Sequence, residues 1–541
     1  MLLKENNPDN KLSGIYYTPD LLAETVINNI DRRNIKSILE PSCGKGVFLK
    51  KVSQKYPDAK VTAIDTDTDA ISYVQKELAS FKNIYVSCDD FFDFYGKTKD
   101  KKSFDLIVGN PPYIRYQYLT EKQRELQSEI LSENGMKSNK LINAWVAFLV
   151  ACVNLLSQDG IIAFVIPAEL LQVAYAEELR NFLTKSLDDI TVITFKELIF
   201  SDVQQETIVF YGKKGNGNGR IRVVAADDIE DFKKIDLRNI NYQCVKNEND
   251  KWTKYFVSGS ETELLDKIRR DNRFKNFKDF GLINVGITTG NNKYFSITKD
   301  TEEKYGLSKA VLPLIGRSSH VHGIYFTCED WESNLKSGKR AMLLSFPDVN
   351  YDSYPEGYKE YIALGEENGE NKGYKCRIRE RWYIVPSVWV PDAFFLRRNH
   401  LYPKFVLNRC GAVSTDTMHR IKFNPGVKDE DVLLGYYNSI SFAFTEICGR
   451  SYGGGVLEIL PGEMGNIRIP DVSKVDLSIK RQLLEIVDDV VREDRNIEEA
   501  LDKVDQVLLI ESLGIPKIWC QECRKIWKTM QQRRLGRGEK I

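Results

Sequence analysis

The chain has 541 residues, more than one ordinary hydrophobic core can organise, so two or three domains are expected. Its 42% hydrophobic and 28% charged residues are typical of a globular protein and exclude a disordered or fibrous chain. Lysine plus arginine equal aspartate plus glutamate at 77 each. A nucleic-acid partner would therefore have to be bound through local segregation of charge, because the net charge is zero.

Membrane and metal sites are not indicated by the sequence. No apolar run reaches the roughly 18 uncharged residues of a membrane-spanning helix, and an N-terminus with Lys4, Glu5 and Asp9 is unlike a signal peptide. We therefore expect a cytoplasmic protein without membrane contact. Of the ten cysteines, only Cys520 and Cys523 form a Cys-x-x-Cys pair, and no matching pair lies nearby. We predict reduced thiols and no metal site.

The first half of the chain has the pattern of a sheet covered by helices. A helix is predicted over Asp20–Ile30, with Thr18 as its cap and Pro19 in its first turn. The predicted strands are Ser37–Glu40, Val61–Asp65, Ile84–Cys88, Phe104–Gly109 and Gly160–Ile166, with later runs at 190–195 and 207–211. A further helix is predicted over Leu141–Leu156. This alternation predicts an α/β fold with a doubly wound, mostly parallel sheet.

The turn after the first strand has the features of a nucleoside site. It carries Gly44 and Gly46, and Asp65 ends the next strand about 20 residues later, where a carboxylate meets a ribose hydroxyl. Leu49 stands where a pyrophosphate-binding turn needs a third glycine, and the acidic Glu40 disfavours a phosphate. A carboxylate at Glu40 suits a cofactor with a cationic end, such as S-adenosylmethionine.

The end of the third strand carries Asp90 and Phe91. The carboxylate can accept a hydrogen bond from an adenine amino group, and the ring can stack on the base. A strand-end turn with a core phenylalanine explains the same two residues equally well. The sequence leaves both interpretations open.

The fourth strand runs into Asn110, Pro111, Pro112 and Tyr113. Proline lacks an N–H and fixes its own φ, so the chain must leave the sheet as a stiff loop. The loop displays the Asn110 amide, the Pro111 carbonyl and the Tyr113 ring, which suit a planar substrate with an amino group, such as adenine. Pro-Pro by itself is equally typical of a strand that simply ends beside a surface tyrosine.

Taken in order, these motifs closely resemble those of the gamma-class DNA adenine-N6 methyltransferases of bacterial restriction-modification systems, over roughly residues 12–212. The resemblance implies a class I, Rossmann-like S-adenosylmethionine-dependent methyltransferase fold followed by an α+β target-recognition domain. It implies that the S-adenosylmethionine pocket is formed by Thr18, Glu40, Ser42, Gly44, Asp65, Asp90, Phe91 and Asn110.

The same resemblance implies that Asn110, Pro111, Tyr113 and Phe200 act on a flipped-out adenine, with Asn143 as a lesser pocket residue. Phe200 is chosen because its segment, Glu197–Val203, is similar to the family stretch that supplies the second stacking ring. A core residue at a strand end is the alternative for Phe200. The first histidine is His320, so a histidine general base is excluded from the N-terminal part.

The second half of the chain lacks a recognisable catalytic set of residues. Its basic and aromatic clusters are Arg377–Tyr383, Phe394–Arg398 and Lys404–Arg409, which suit DNA phosphates and base edges. We predict a catalytic domain over 1–250, a target-recognition domain over 251–470 and a helical segment over 471–541. This last segment is expected to end in a basic tail with Arg533, Arg534 and Arg537.

The sequence thus predicts site-specific N6 methylation of adenine in double-stranded DNA, with a separately encoded restriction endonuclease as a possible cognate partner. Three alternatives stay open. The same fold can methylate a protein glutamine or an RNA base. A bifunctional restriction enzyme would need a nuclease domain with paired carboxylates and a lysine, which we do not find. A DNA-binding regulator would have a degenerate pocket, whereas these motifs are intact.

Overall fold

The computed structural model describes residues 18–138, 142–173, 176–197, 199–200, 206–217, 219–245 and 251–536. The chain divides into two compact units, the first formed mainly by residues up to Gly259 and the second mainly by residues from Ser260 onwards. The predicted boundary near 250 and the separate segment from 471 stay predictions. Within the described ranges, no helix has the length and apolarity needed to cross a membrane.

The first unit contains a mixed sheet in which, among the described residues, nine strands follow the order β3-β2-β1-β4-β5-β7-β6-β8-β9. The strands are β1 Ser37–Glu40, β2 Lys60–Asp65, β3 Ile84–Cys88, β4 Phe104–Gly109, β5 Leu156–Pro167, β6 Leu187–Phe195, β7 Thr207–Lys214, β8 Arg220–Ala226 and β9 Gln243–Cys244. The strands from β3 to β5 are mutually parallel, and β7 is antiparallel to both of its neighbours. The predicted, mostly parallel α/β sheet is confirmed.

Helices cover both faces of this sheet. They are α1 Asp20–Asn28, α2 Val47–Lys55, α3 Thr68–Glu77, α4 Phe91–Thr98, α5 Glu121–Glu133, α6 Ala144–Leu155, α7 Glu169–Gln172, α8 Glu177–Ser186 and α9 Ile229–Lys234. Neighbouring strand residues belong to different hydrophobic clusters, with Leu39 in one and Ile38 in the other. Because strand side chains alternate between faces, the sheet is packed on both sides.

The start of α1 differs from the prediction. The helix begins at Asp20, Pro19 occupies the capping position, and no side chain caps it. Thr18 therefore lies one residue too early for its hydroxyl to reach the free N–H groups of the first turn. The capping role predicted for Thr18 is wrong.

The second unit is an α+β structure, and among its described residues five- and four-stranded sheets have the orders β11-β20-β16-β18-β14 and β12-β15-β13-β19. Its strands are β10 Phe274–Asn276, β11 Gly281–Val285, β12 Ser296–Ile297, β13 Val311–Ile315, β14 Tyr325–Phe326, β15 Met342–Leu344, β16 Ala393–Leu396, β17 Arg398–Asn399, β18 Phe405–Asn408, β19 Val413–Ser414, β20 Met418–Phe423, β21 Arg450–Tyr452, β22 Val456–Glu458 and β23 Arg468–Pro470. Its helices are α10 Gly259–Arg270, α11 Asn292–Phe295, α12 Lys299–Tyr305, α13 Cys328–Lys336, α14 Glu356–Glu367, α15 Tyr374–Arg377, α16 Asp429–Tyr436, α17 Ser439–Cys448, α18 Pro461–Met464, α19 Leu477–Arg492, α20 Ile497–Val504 and α21 Lys517–Leu535.

The last helix, α21, replaces much of the predicted basic tail. Cys520 and Cys523 are buried on one face of it, three residues apart. Arg534 is also buried and forms a 2.9 Å ion pair with Glu446. The described part of the chain contains no cluster of side chains that could hold a metal ion. Both thiols and Arg534 are part of the packed interior of this unit, and Arg537 lies outside the described residues.

Candidate active site

A cavity of about 730 Å³ lies at the carboxyl ends of β1 to β4. Carboxyl ends of parallel strands meet at one edge of a sheet, which is where open α/β folds bind ligands. The predicted site residues that line this cavity are Thr18, Glu40, Ser42, Gly44, Asp65, Asp90, Phe91, Asn110 and Pro111. Five separate segments predicted from their motifs therefore converge on one space.

The turn between β1 and α2 is held in place by Asp65 at the end of β2. The Gly44 N–H donates to Asp65 Oδ2 over 2.7 Å, and the Asp67 N–H donates to Oδ1 over 2.9 Å. Gly46 has a φ of 76°, and a Cβ there would lie 3.1 Å from a Val74 methyl group, so this turn needs glycine. Asp65 fixes the turn and keeps further acceptor positions on both oxygens for ligand hydroxyls.

Glu40 is the main electrostatic feature of the cavity. Its side chain is buried, and its Oε2 has no hydrogen-bond partner among the described residues. Burial, and secondly the charge of Asp65, raise the pKa of Glu40 well above the ordinary value. An unpaired buried carboxylate is costly and becomes favourable when a cation joins it. The buried Glu40 carboxylate thus fits a ligand with an ammonium or sulfonium group.

Asp90 and Phe91 have structural roles as well as places in the cavity. Asp90 Oδ1 accepts from the Phe92 N–H over 2.8 Å and caps α4. Its Oδ2 accepts from Gln123 Nε2 over 2.8 Å. The Phe91 ring stacks on Phe148, with centroids 4.6 Å apart. The strand-end turn and core phenylalanine are confirmed, and both residues also line the cavity.

The loop after β4 borders the same cavity through Asn110, Pro111 and Pro112. Ser42 Oγ donates to the Asn110 carbonyl over 3.2 Å, which ties this loop to the turn after β1. Tyr113 is not among the residues that line the cavity. Its ring is buried and its hydroxyl donates to the Val165 carbonyl over 3.1 Å.

The structure does not bring Phe200 and Tyr113 together. Phe200 is buried in the hydrophobic cluster on one face of the sheet, and Tyr113 lies in the cluster on the other face. Residues 201–205 of the segment predicted to carry the second ring are outside the described residues. Asn143 does not line the cavity either, and its amide donates to Glu169 over 3.4 Å.

Gln123 and Tyr118 are among the cavity residues that sequence reasoning missed. Gln123 is the third residue of α5 and completes a capping box with Thr120, so its Thr-x-x-Gln pattern was a readable helix signal. Tyr118, which is 49% exposed, borders the cavity just beyond the proline loop. An aromatic residue soon after that loop could have been considered, but no spacing rule identified it.

Comparisons with known proteins agree with this arrangement. Residues 28–200 match the family model described as Eco57I restriction-modification methylase. Residues 249–509 match the model described as Type II methyltransferase M.Eco57I, C-terminal domain. The chain is 24% identical over 524 residues to Type II methyltransferase M.AccI of Acinetobacter calcoaceticus, covering 91% of this chain and 92% of the relative.

Two further similarities are more limited. Type II methyltransferase M.HincII of Haemophilus influenzae is 29% identical over 231 residues, covering 42% of each chain. A solved structure of the Type IIL restriction-modification enzyme MmeI in complex with DNA superposes with a TM-score of 0.54 at 12% identity, over 95% of this chain and 74% of that one. The methylase family matched by residues 28–200 implies S-adenosylmethionine as the cofactor, and its cationic end fits the unpaired Glu40 oxygen. Together, the two family models and the similarity to M.AccI over nearly the whole chain identify it as a DNA methyltransferase of a bacterial restriction-modification system.

Proposed function

We propose that this chain transfers a methyl group to N6 of a specific adenine in duplex DNA. The observation that carries the proposal is the shared cavity: Asn110 and Pro111 border the same space as the buried, unpaired Glu40 oxygen. One side suits a cationic cofactor, and the other offers acceptors for an amino group. A two-substrate site of this kind supports methyl transfer to an amino nitrogen.

The exocyclic N6 of adenine is a weak nucleophile because its lone pair is delocalised into the ring. The Asn110 side-chain oxygen and the Pro111 carbonyl accept hydrogen bonds from the two N–H groups of the adenine amino group. These bonds favour a pyramidal nitrogen with a localised lone pair. S-adenosylmethionine supplies the electrophilic methyl group when it is bound. The nitrogen loses its extra proton after the transfer, so no general base is needed. In agreement, the chain has no histidine before His320.

Tyr113 is proposed to stack on the adenine once the base has left the duplex. This role requires the ring to move from its position beside the Val165 carbonyl. We expect Tyr113→Phe to keep most activity, because the ring is retained and only the hydroxyl bond is lost. Tyr113→Ala is expected to lower kcat/KM by about 10- to 100-fold, the value of one stacked base. Steady-state methylation of DNA measures both, and equal losses in the two variants would contradict the stacking role.

We assign Phe200 as the second stacking ring, a role that also requires movement of its segment. The pocket for S-adenosylmethionine is proposed to consist of the predicted residues that border the cavity. Within it Glu40 holds the cationic end, Asp65 the ribose and Asp90 the adenine amino group. Asn143 is assigned only a supporting position.

The Asp90 assignment is tested with a matched pair of helix caps. Asp90→Ala and Asp228→Ala each remove a side chain that caps a helix, so each is expected to cost about 1 kcal/mol of stability. Only Asp90 borders the cavity. Isothermal titration should therefore detect weaker S-adenosylmethionine binding in Asp90→Ala alone. Equal affinity in both variants would remove Asp90 from the cofactor site.

The second unit is proposed to recognise the target sequence, and a separately encoded cognate endonuclease is proposed as partner. Similarity to M.AccI over nearly the whole length of both chains supports a stand-alone modification enzyme. The proposal is tested by incubating the purified chain with labelled S-adenosylmethionine and duplex DNA, RNA or protein. Label should enter duplex DNA; label entering only RNA or protein would contradict it. Cleavage of unmethylated DNA would identify a bifunctional enzyme instead.

A further inference from the structure

The basic clusters predicted to meet DNA are largely occupied within the second unit. Arg397 and Arg398 both contact the Glu458 carboxylate, at 3.0 and 3.4 Å. Arg409 forms a 2.6 Å ion pair with Asp429. Phosphate contacts by these side chains would compete with existing ion pairs. The cations available to a polyanion must therefore be sought elsewhere in this unit.

Three other segments of the second unit expose cations beside one another. Lys293 lies on the short helix α11, and Arg317 and Arg340 lie on loops. Among the residues that the structure describes, neither Lys293 nor Arg317 forms an ion pair with a carboxylate. The Arg340 guanidinium donates to the Lys293 carbonyl, which joins two of the segments.

The backbone brings the third loop to the same place. Strands β13 and β15 pair antiparallel, and the Leu314 N–H donates to the Ala341 carbonyl over 2.8 Å. A Cβ on Gly316 would lie 3.3 Å from the Arg340 carbonyl, so the residue before Arg317 lies against Arg340. The three cations are therefore positioned by neighbouring segments of one sheet.

A fourth segment fixes two of these three. The hydroxyls of Thr415 and Thr417 each donate to the Gly316 carbonyl over 3.4 Å. Asn292 Nδ2 donates to Asp416 Oδ1 over 3.2 Å, which ties helix α11 to the same segment. Bonds from two segments to a third reduce the conformational entropy lost when a ligand binds.

The turn that leads into the helix carrying Lys293 depends on a glycine. Gly290 has a φ of 87°, and a Cβ there would come within 2.9 Å of the Lys375 Cβ. Residues with a side chain rarely adopt this φ, so the turn depends on glycine. The position of Lys293, three residues later, follows from this packing.

The neighbouring charges leave the surface basic. Two carboxylates lie beside helix α11, Asp416 and Glu370, which accept hydrogen bonds from Asn292 and Asn291. They keep their charge, but the three cations outnumber them. At the Arg317 loop, burial and then the charges of Lys339, Arg317 and His322 lower the pKa of His320 to about 4. Exposed hydroxyls on Thr288, Ser318 and Ser319 add neutral donors. Cations together with neutral donors form the usual contact set for phosphate oxygens.

We propose that Lys293, Arg317 and Arg340 bind backbone phosphates of duplex DNA and position the second unit on its substrate. The inference rests on the proposed function for its substrate, but it assigns the contact to a surface that the sequence motifs did not mark. Phosphate contacts fix register and affinity and do not by themselves read bases.

The test is the salt dependence of DNA binding by the full chain with S-adenosylmethionine present. Lys293→Gln combined with Arg317→Gln removes two cations and leaves the loop hydrogen bonds described above intact. Loss of two phosphate contacts should lower the slope of log affinity against log salt by about 1.8 and weaken binding about 30-fold at 0.15 M salt. Lys474→Gln with Arg481→Gln, two exposed cations elsewhere in the unit, is the matched control and should leave the slope unchanged.

Two measurements separate the possible failures. The pair Lys293→Arg and Arg317→Lys keeps both charges and should restore the slope, whereas a folding defect in the glutamine variant would appear as a lower Tm. Wild-type slope and affinity in a folded Lys293→Gln and Arg317→Gln variant would overturn the inference while leaving the proposed function intact. If the wild-type chain methylates RNA or protein and not DNA, the proposed function itself fails.

Discussion

Asn110→Ala is expected to lower the turnover number by about 10²- to 10³-fold while leaving duplex DNA binding nearly unchanged. The loss is that of one preorganised hydrogen-bonding group aimed at charge that develops in the transition state. Asn110 borders the cavity, and its own carbonyl is held by Ser42, so the loop should keep its backbone position in the variant. Single-turnover methylation with saturating cofactor measures the chemical step apart from binding.

The relative activities of Asn110→Asp and Asn110→Ala test the chemistry. Asn110→Asp keeps an acceptor oxygen and should retain more activity than Asn110→Ala, although its new charge lies in a cavity that already holds Glu40 and Asp65. Asn34→Ala, an exposed asparagine ahead of β1, should behave as wild type. A twofold loss of turnover is only about 0.4 kcal/mol, against the roughly 2.7 to 4 kcal/mol that such a group supplies. Turnover of Asn110→Ala within twofold of wild type would therefore contradict the role of the amide.

Glu40→Gln is expected to weaken S-adenosylmethionine binding by at least about 30-fold and to stabilise the cofactor-free protein by about 1–3 kcal/mol. The first effect is the loss of a desolvated charge partner for the cationic end. The second follows because the Glu40 Oε2 is buried without a hydrogen-bond partner among the described residues, which is costly for a carboxylate. Titration calorimetry measures the affinity, and denaturant unfolding measures the stability.

The pH dependence has a definite sign. Since burial and Asp65 raise the folded-state pKa of Glu40, this group favours folding below its unfolded pKa, and that contribution is lost as the pH rises through the folded pKa. Over the same window the carboxylate ionises, so affinity for the cationic cofactor rises. In Glu40→Gln, these pH dependences of stability and of cofactor affinity should both disappear. Glu77→Gln, at an exposed position, should keep them. Unchanged cofactor affinity in Glu40→Gln would exclude the assigned contact.

Much of the first unit could be predicted from local pattern. The first, third and fourth strands have the predicted bounds, since each is a short apolar run between polar turns. The edge of the sheet that carries the site was also predictable, because motifs at the ends of parallel strands must converge. Glu40, Asp65 and Asp90 all border the cavity for this reason.

The parts that could not be predicted depend on tertiary contacts. Whether Tyr113 is displayed or buried is decided by a bond to Val165, which is far away in sequence. Likewise, the basic cluster at Arg397 looked available because its partner, Glu458, lies 61 residues later in the chain. Capping of α1 failed as a prediction because Pro19 can occupy either the capping position or the first turn.

The central claim is that the loop Asn110–Tyr113 presents an adenine amino group to the cofactor. The most direct test is to methylate unmodified duplex DNA with the purified chain and isotopically labelled S-adenosylmethionine, digest it to nucleosides and identify the labelled base by mass spectrometry. The account predicts N6-methyladenine in the wild-type reaction and its near absence with Asn110→Ala. Label recovered as a methylated cytosine, or N6-methyladenine formed equally well by both proteins, would contradict it.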